Sequence, residues 1–216
     1  MWRLRGPETP AGVLVVCLLL AAAQQLAGAG LIKAKAHLAP LLIGHAWQAS
    51  LAAGGAPVKP WPWADTWPVA RLRVPAHGEA LLVLAGDAGN ALAFGPGHAL
   101  ASAPLGSPGL AVIGGHRDTH FHFLRRLRPG DALHLELPGG FARHYRVAGA
   151  RIANAEQESL SPVEGDDRLL LVTCYPFDGV RPGGPLRYVV EARPVRDDEA
   201  IGVPFDPFRK VPVYDL

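Results

Sequence analysis

Glycine and proline recur at short intervals after about residue 54, and this spacing limits what that part of the chain can form. The sequence contains 25 Gly and 21 Pro. Both residues favour turns and are poorly tolerated inside long helices. The apolar segments between them are short. We therefore expect many short strands joined by turns beyond residue 54, and long helices only before it.

The short segments carry the patterns of strands. Residues 132–137 and 141–147 alternate between apolar and polar side chains on either side of Pro138-Gly139-Gly140, which predicts a hairpin. Residues 110–113 and 169–172 are continuous apolar runs, typical of strands buried on both faces. The predicted strands lie at 69–74, 80–84, 91–94, 110–113, 132–137, 141–147, 169–172 and 187–192. About seven or eight strands without matching helices indicate a mainly β fold, a closed or partly closed β-barrel.

The amino-terminal segment predicts a membrane helix. Arg3 and Arg5 precede an apolar run over 11–32, and about 20 residues suffice to cross a bilayer. We expect an uncleaved signal anchor at 1–32. Small residues at 27–30 leave a cleaved signal peptide as the alternative. Either interpretation exports residues 33–216.

Residues 33–53 have helical character and are predicted to form a juxtamembrane helix. Its expected apolar face is built from residues at three- and four-residue spacing, namely Leu38, Leu41, Leu42, His45, Ala46 and Ala49. Gly54-Gly55 end the helix, and Pro57 and Pro60 make 33–60 a helix with a linker. The soluble domain is expected at 61–216. Its first tryptophans are expected to anchor the segment onto the barrel; they are Trp61, Trp63 and Trp67.

Two apolar strands run directly into residues capable of chemistry. The run 110–113 leads to His116, and the run 169–172 leads to Cys174. A residue at a strand end is held rigidly and yet remains open to a ligand. A cysteine attacks a carbonyl as its thiolate, which nearby positive charge favours, and a histidine can protonate the leaving amine. The other cysteine, Cys17, lies in the apolar amino-terminal run, so Cys174 is expected to be a free thiol.

These residues resemble the motifs of the sortase family. The segment Leu171-Val172-Thr173-Cys174 resembles the nucleophile motif T-L-x-T-C, although Leu170 stands where its first Thr is usual. Arg187, thirteen residues after Cys174, resembles the sortase arginine at the start of its strand. Gly114-Gly115-His116-Arg117-Asp118 resembles the histidine segment, and residues 61–68 resemble the Gram-negative class GN sortases.

The resemblance implies a cysteine transpeptidase without a metal or organic cofactor. Cys174 would attack a backbone carbonyl in a C-terminal sorting signal, in the family L-P-x-T-G-like, and an amine acceptor would resolve the thioacyl intermediate. His116 would be the general acid and base, and Arg187 would bind substrate carbonyls or the oxyanion. Thr173 would help to shape the substrate pocket. Asp118 is a weaker candidate to orient His116.

The resemblance also implies partners and a location. The expected partners are a protein substrate with a sorting signal, an amine acceptor and the membrane. The expected location is the inner membrane, crossed once, with the catalytic domain on the periplasmic side. Nucleic acid is not an expected partner, because the net charge is only +2 and no Lys/Arg stripe with interleaved aromatic residues occurs.

Other interpretations stay open on the sequence alone. The dense set of His116, Asp118, His120 and His122 contains the ligand types of zinc, which would suit a metallohydrolase. A non-catalytic, membrane-tethered envelope binding module is a second alternative. Arg181 competes with Arg187 for the arginine role, although it lies among Gly and Pro and Arg187 opens a strand.

Overall fold

The structure is a computed structural model that describes residues 10–89, 91–159, 165–179 and 183–195. By its internal contacts the chain divides into two compact units, 1–41 and 42–216. The elements are α1 (Pro10–Ala52), β1 (Pro68–Val74), β2 (Glu79–Ala85), β3 (Gly97–His98), β4 (Leu110–Gly114), β5 (Ala132–Glu136), β6 (Ala142–Asn154), β7 (Arg168–Cys174) and β8 (Leu186–Pro194). Two short 3-10 helices, Pro75–His77 and His122–Arg126, complete the list.

Both segments predicted as helices are helical, within α1. Its stretch Pro10–Gly28 has a mean hydropathy of 2.0 and is long and apolar enough to cross a membrane, by length and composition. A signal sequence has the same properties, so this finding is only weakly consistent with a membrane anchor. The predicted boundaries of the anchor, the linker and the catalytic domain stay predictions.

The buried face of α1 within the second unit differs from the predicted one. The predicted Ala46 is buried, together with Ile43, Trp47 and Ser50, whereas the predicted His45 and Ala49 are exposed. The predicted face was thus wrong in part, because apolar residues recur at three- and four-residue spacing along more than one line of this helix. Trp47 decides the face, since its indole is fully buried and its ring lies 5.5 Å from the Arg71 guanidinium carbon.

The strands form a closed barrel in the order β1-β2-β3-β4-β7-β8-β6-β5, which confirms the predicted fold class. The predicted hairpin is the antiparallel pair β5–β6. The pair β4–β7 is parallel, and β8 lies antiparallel on the other side of β7. The carboxyl ends of β4 and β7 and the amino end of β8 therefore lie at one edge of the barrel.

The two continuous apolar runs are buried on both faces, as predicted. Leu169 and Leu171 belong to the main core, together with Ile113 of β4. Leu110 and Leu170 belong to a second cluster on the opposite face of the same strands. Successive strand residues point to opposite faces, so this arrangement divides β7 into a core face and an outer face.

The strand predicted near Ala91–Phe94 is wrong, because these residues form a turn. The amides of Phe94 and Gly95 both donate to the Ala91 carbonyl, at 3.1 and 3.2 Å. The apolar side chain of Phe94 packs edge-on against Trp61, with ring centroids 5.4 Å apart. This contact confirms the anchoring predicted for Trp61. Trp63, by contrast, is 82% exposed.

Candidate active site

The ends of β4 and β7 are joined by two hydrogen bonds that place His116 beside the end of β7. The Gly115 amide donates to the Val172 carbonyl at 3.0 Å. The Thr173 hydroxyl donates to the Gly115 carbonyl at 2.7 Å. Gly114 and Val172 are partners in the parallel register, so His116 follows β4 at the level where Cys174 ends β7. Thr173 is buried, and its hydroxyl holds the strand that leads to the histidine.

Cys174 and Arg187 are direct partners in the antiparallel register of β7 and β8. The Tyr175 amide donates to the Leu186 carbonyl at 3.0 Å, which keeps the two strands paired just beyond the cysteine. Cys174 is a free, partly exposed thiol. It shares the outer face of β7 with Leu170 and Val172, whereas Thr173 faces the core. All three predicted catalytic residues thus lie at one edge of the barrel.

The turn after β4 keeps His116 exposed. A Cβ on Gly115 would lie 2.8 Å from the Phe121 ring, so only glycine allows the buried ring to approach so closely. The Phe121 amide donates to the His116 carbonyl at 2.9 Å and closes the turn. The local sequence therefore buries Phe121 under the turn and turns His116 outward.

Arg187 is partly buried and donates to backbone carbonyls. One of its terminal nitrogens, Nη1, donates to the carbonyls of Gly184 and Leu186 at 2.6 and 2.9 Å. Across the described residues 10–89, 91–159, 165–179 and 183–195, the ion pairs do not include Arg187. The competing candidate, Arg181, lies outside the described residues.

Arg117 binds the segment that follows Cys174, a contact that the sequence reasoning missed. Its Nη1 donates to the Pro176 carbonyl at 2.8 Å, and its Nη2 donates to the Gly179 carbonyl. The only signal in the sequence is its position directly after His116. The peptide bond between Tyr175 and Pro176 is cis.

Three aromatic side chains surround the same strand end, and the sequence reasoning did not single them out. Tyr175, Phe177 and Tyr188 have ring centroids 5.1 to 6.3 Å apart. Phe177 and Tyr188 pack against the main core. The trio thus supports the backbone on which Cys174 and Arg187 lie.

The remaining polar residues of the histidine segment do not gather into a metal site. Asp118 and His122 are exposed, and His120 is half-buried. Burial lowers the pKa of His120, the nearby His116 lowers it further, and Asp118 raises it. Across the described ranges, no three His, Cys, Asp or Glu side chains come close enough together to hold a metal ion. The predicted zinc alternative is therefore not favoured.

A groove of about 400 Å³ lies on the outer face of the strands that carry Cys174 and Arg187. Leu110, Leu170 and Val189 provide apolar surface, and Arg168 and Glu191 provide charge. Since β7 rises about 3.3 Å per residue, Arg168 lies about 20 Å along the strand from Cys174. The groove therefore lies toward the opposite end of β7 from the thiol, and its lining includes none of His116, Cys174 and Arg187.

Comparison with known proteins gives a consistent family. Residues 72–195 match the profile of the Sortase domain family. Sortase D of Bacillus subtilis (strain 168) is 31% identical over 125 residues, which are 57% of this chain and 62% of that protein. The chain thus spans less than two thirds of the length of this curated relative.

Two solved structures of sortases are also similar to this chain. Sortase A from Corynebacterium diphtheriae, as a lid mutant, is similar with a TM-score of 0.54 and 25% identity, over 68% of this chain and 76% of that one. Sortase C-1 from Actinomyces oris gives a TM-score of 0.52 and 28% identity, over 60% and 73% of the two chains.

Proposed function

The chain belongs to the sortase family, and on that premise we propose that it is a cysteine transpeptidase. It cleaves a C-terminal sorting signal and transfers the acyl part to an amine. The observation that carries this proposal is the shared strand edge: Cys174 pairs in register with Arg187, and the Gly115–Thr173 hydrogen bond sets His116 beside them. A thiol, a proton carrier and a fixed cation are the groups that acyl transfer through a thioester needs.

The proposed reaction has two steps. The Cys174 thiolate attacks a peptide carbonyl, the C–N bond breaks, and the leaving amine takes a proton from His116. The acceptor amine then attacks the thioacyl carbonyl and gives a proton back to His116. The C–S bond breaks, a new amide forms, and the thiolate returns. Arg187 stabilises the oxyanion in both steps.

The supporting residues are assigned by their contacts. We propose that Thr173 shapes the substrate pocket indirectly, because its hydroxyl holds the Gly115 carbonyl. Asp118 remains a candidate to orient His116. The outer face of β4 and β7, with Val112 and Val172 partly exposed, is a suitable surface for the sorting peptide.

The membrane location is part of the proposal. The stretch Pro10–Gly28 supports a single-pass anchor at 1–32, followed by a spacer at 33–60 and the catalytic domain at 61–216. We place that domain on the periplasmic side of the inner membrane, with a sorting-signal protein and an amine acceptor as partners. The similarity of residues 61–68 to class GN sortases supports this side.

The test uses the full chain in detergent with peptides that contain candidate L-P-x-T-G-like signals. The expected result is a mass increase equal to the acyl fragment on the native protein and on Cys17→Ala, the matched control for the second thiol. Cys174→Ala should carry no adduct. An adduct that persists on Cys174→Ala would exclude the assigned nucleophile.

Two further outcomes would replace the proposal. Stoichiometric zinc that is required for activity would favour the metallohydrolase. Binding of signal peptides without any adduct or cleavage would favour the non-catalytic binding module.

A further inference from the structure

We propose that Arg117 is a positioning residue, which sets the separation between His116 and Cys174 by clamping the turn that follows the nucleophile. This inference rests on the proposed function, because the separation matters only if the two residues act together. It adds a role for a residue that touches neither the thiol nor the imidazole in the bonds described above.

The backbone pairing between β4 and β7 stops just before the two reactive residues. The last bonds are the Gly115 amide to the Val172 carbonyl and the Thr173 hydroxyl to the Gly115 carbonyl. His116 and Cys174 lie one residue beyond these bonds. After them, each strand continues into a turn, so contacts between the two turns contribute to the separation of His116 and Cys174.

Arg117 makes that contact with two backbone carbonyls of the second turn. Its Nη1 donates to Pro176 at 2.8 Å, and its Nη2 donates to Gly179. The Gly179 amide itself donates to the Pro176 carbonyl at 3.2 Å, so both acceptors belong to one closed turn. The guanidinium thus joins the residue after His116 to the turn that begins two residues after Cys174.

The clamp requires the forked shape of a guanidinium. Arginine presents several N–H donors in a fixed plane, and it can bind two carbonyls at once. A lysine ammonium at the same position is a point donor on a flexible stem and would satisfy these acceptors less well. A shorter or apolar side chain would remove both bonds and leave the turns joined by the strands and by the longer Arg125–Asp178 ion pair at 3.8 Å.

Gly179 gives independent support for the clamp. A Cβ at this position would lie 2.8 Å from Arg117 Nη1 and 3.2 Å from Nη2. Its φ lies outside the left-handed range, so the backbone itself does not demand glycine there. The same Cβ would lie 3.2 Å from the Pro176 carbonyl oxygen, so the absence of a side chain at Gly179 serves both the approach of Arg117 and the closure of the turn.

Two substitutions in the full chain would break the hydrogen bonds of the clamp by different means. Arg117→Ala removes the donor, and Gly179→Ala keeps the arginine but displaces its guanidinium, with a second close contact to the Pro176 carbonyl oxygen. Arg117→Lys keeps the charge without the fork. The matched controls are Arg126→Ala, a neighbouring arginine that pairs with Glu79 at 3.2 Å, and Gly44→Ala, where a Cβ meets nothing within 4 Å.

Two readouts separate positioning from mere stability. The first is kcat and KM with a cleavable signal peptide. The second is the rate of Cys174 alkylation by iodoacetamide across pH, which reports the reactivity of this thiol in each variant. His116→Ala gives the reference profile without the imidazole, and thermal unfolding gives the folded fraction of each variant.

We expect Arg117→Ala and Gly179→Ala to lower kcat about 10- to 100-fold with little change in KM, since a displacement of about 1 Å has such effects. Their alkylation profiles should move toward that of His116→Ala, with Arg117→Lys between. The controls should match the native protein. Native kcat and alkylation profiles in both opened variants would overturn the inference, as would a loss explained by the folded fraction alone.

A failure of the proposed function looks different. The native protein would then cleave no signal peptide, and the alkylation profiles would still decide whether Arg117 couples His116 to Cys174.

Discussion

Each end of strand β7 has an arginine beside it, yet the two guanidiniums bind different partners. Arg168, which begins β7, donates to both Asp166 carboxylate oxygens at 2.5 and 2.7 Å and to Glu191 at 3.0 Å. Arg187, which lies opposite the last residue of β7, donates to the carbonyls of Gly184 and Leu186. One cation meets carboxylates, and the other meets neutral oxygens.

This difference distinguishes Arg168, which is expected to stabilise the fold, from Arg187, which is proposed to act in the reaction. Carboxylates neutralise Arg168, and they raise its pKa further above the range in which it could lose a proton. Carbonyl oxygens fix the Arg187 guanidinium, and no carboxylate of the described residues pairs with it. A fixed cation beside a nucleophile is most useful when negative charge develops during the reaction. The partners therefore predict which arginine controls rate and which controls stability.

The largest effect is expected at the reactive end. Arg187→Ala should lower kcat/KM about 100- to 1000-fold, the cost of losing one oxyanion donor, while the melting temperature stays nearly unchanged. Arg187→Lys should keep part of the activity, because it restores a charge but not the fork. Peptide cleavage and thermal unfolding measure the two properties. A loss of this size in Arg181→Ala, with Arg187→Ala active, would move the role to Arg181.

The second-largest effect is expected at the amino end of β7, and it is on stability rather than on activity. Arg168→Ala should lower the free energy of unfolding by about 1–3 kcal/mol, because it removes a charged partner from the mostly buried Asp166, whose side chain is 7% exposed. Turnover at saturating peptide should change less than about threefold. Urea unfolding and kcat test the two statements. Unchanged stability with a large loss of turnover would instead make this end a part of the substrate site.

The sequence allowed most of the barrel to be predicted, because the strands that matter most have strong local patterns. The runs 110–113 and 169–172 are apolar throughout, and both are buried on two faces. Ala91–Phe94 has the same composition, but it forms a turn from which Phe94 packs onto Trp61. A short apolar run does not reveal whether it is paired along its backbone.

The site shows the same division. His116, Cys174 and Arg187 could be proposed because each follows or begins a recognisable strand, and the structure brings all three to one edge. Their roles stay predictions. The clamp from Arg117 could not be predicted, since its acceptors are backbone carbonyls of Pro176 and Gly179, about 60 residues away. Every residue has a backbone carbonyl, so residue types do not indicate which carbonyl will accept a bond.

The smallest expected effect uses pH to compare the two ends of β7. Burial and the neighbouring His116 lower the pKa of His120 in the folded chain below its ordinary value of 6.5, against a raising effect of Asp118. The unfolded chain then binds the proton more tightly. The contribution of His120 to the free energy of unfolding is fully present above about pH 6.5 and is lost as the pH drops through its folded pKa.

His120→Gln should therefore reduce the loss of stability between pH 7.5 and 5.5, by less than about 1 kcal/mol because the ring is only half-buried. Urea unfolding of the full chain at the two pH values measures this difference. His122→Gln, at an exposed neighbouring histidine, is the matched control for the substitution itself. Arg168→Ala, at the other end of β7, should lower stability at both pH values because the ion pairs are lost at both. An equal acid loss in native protein and His120→Gln would show that the reactive end contributes no such pH dependence.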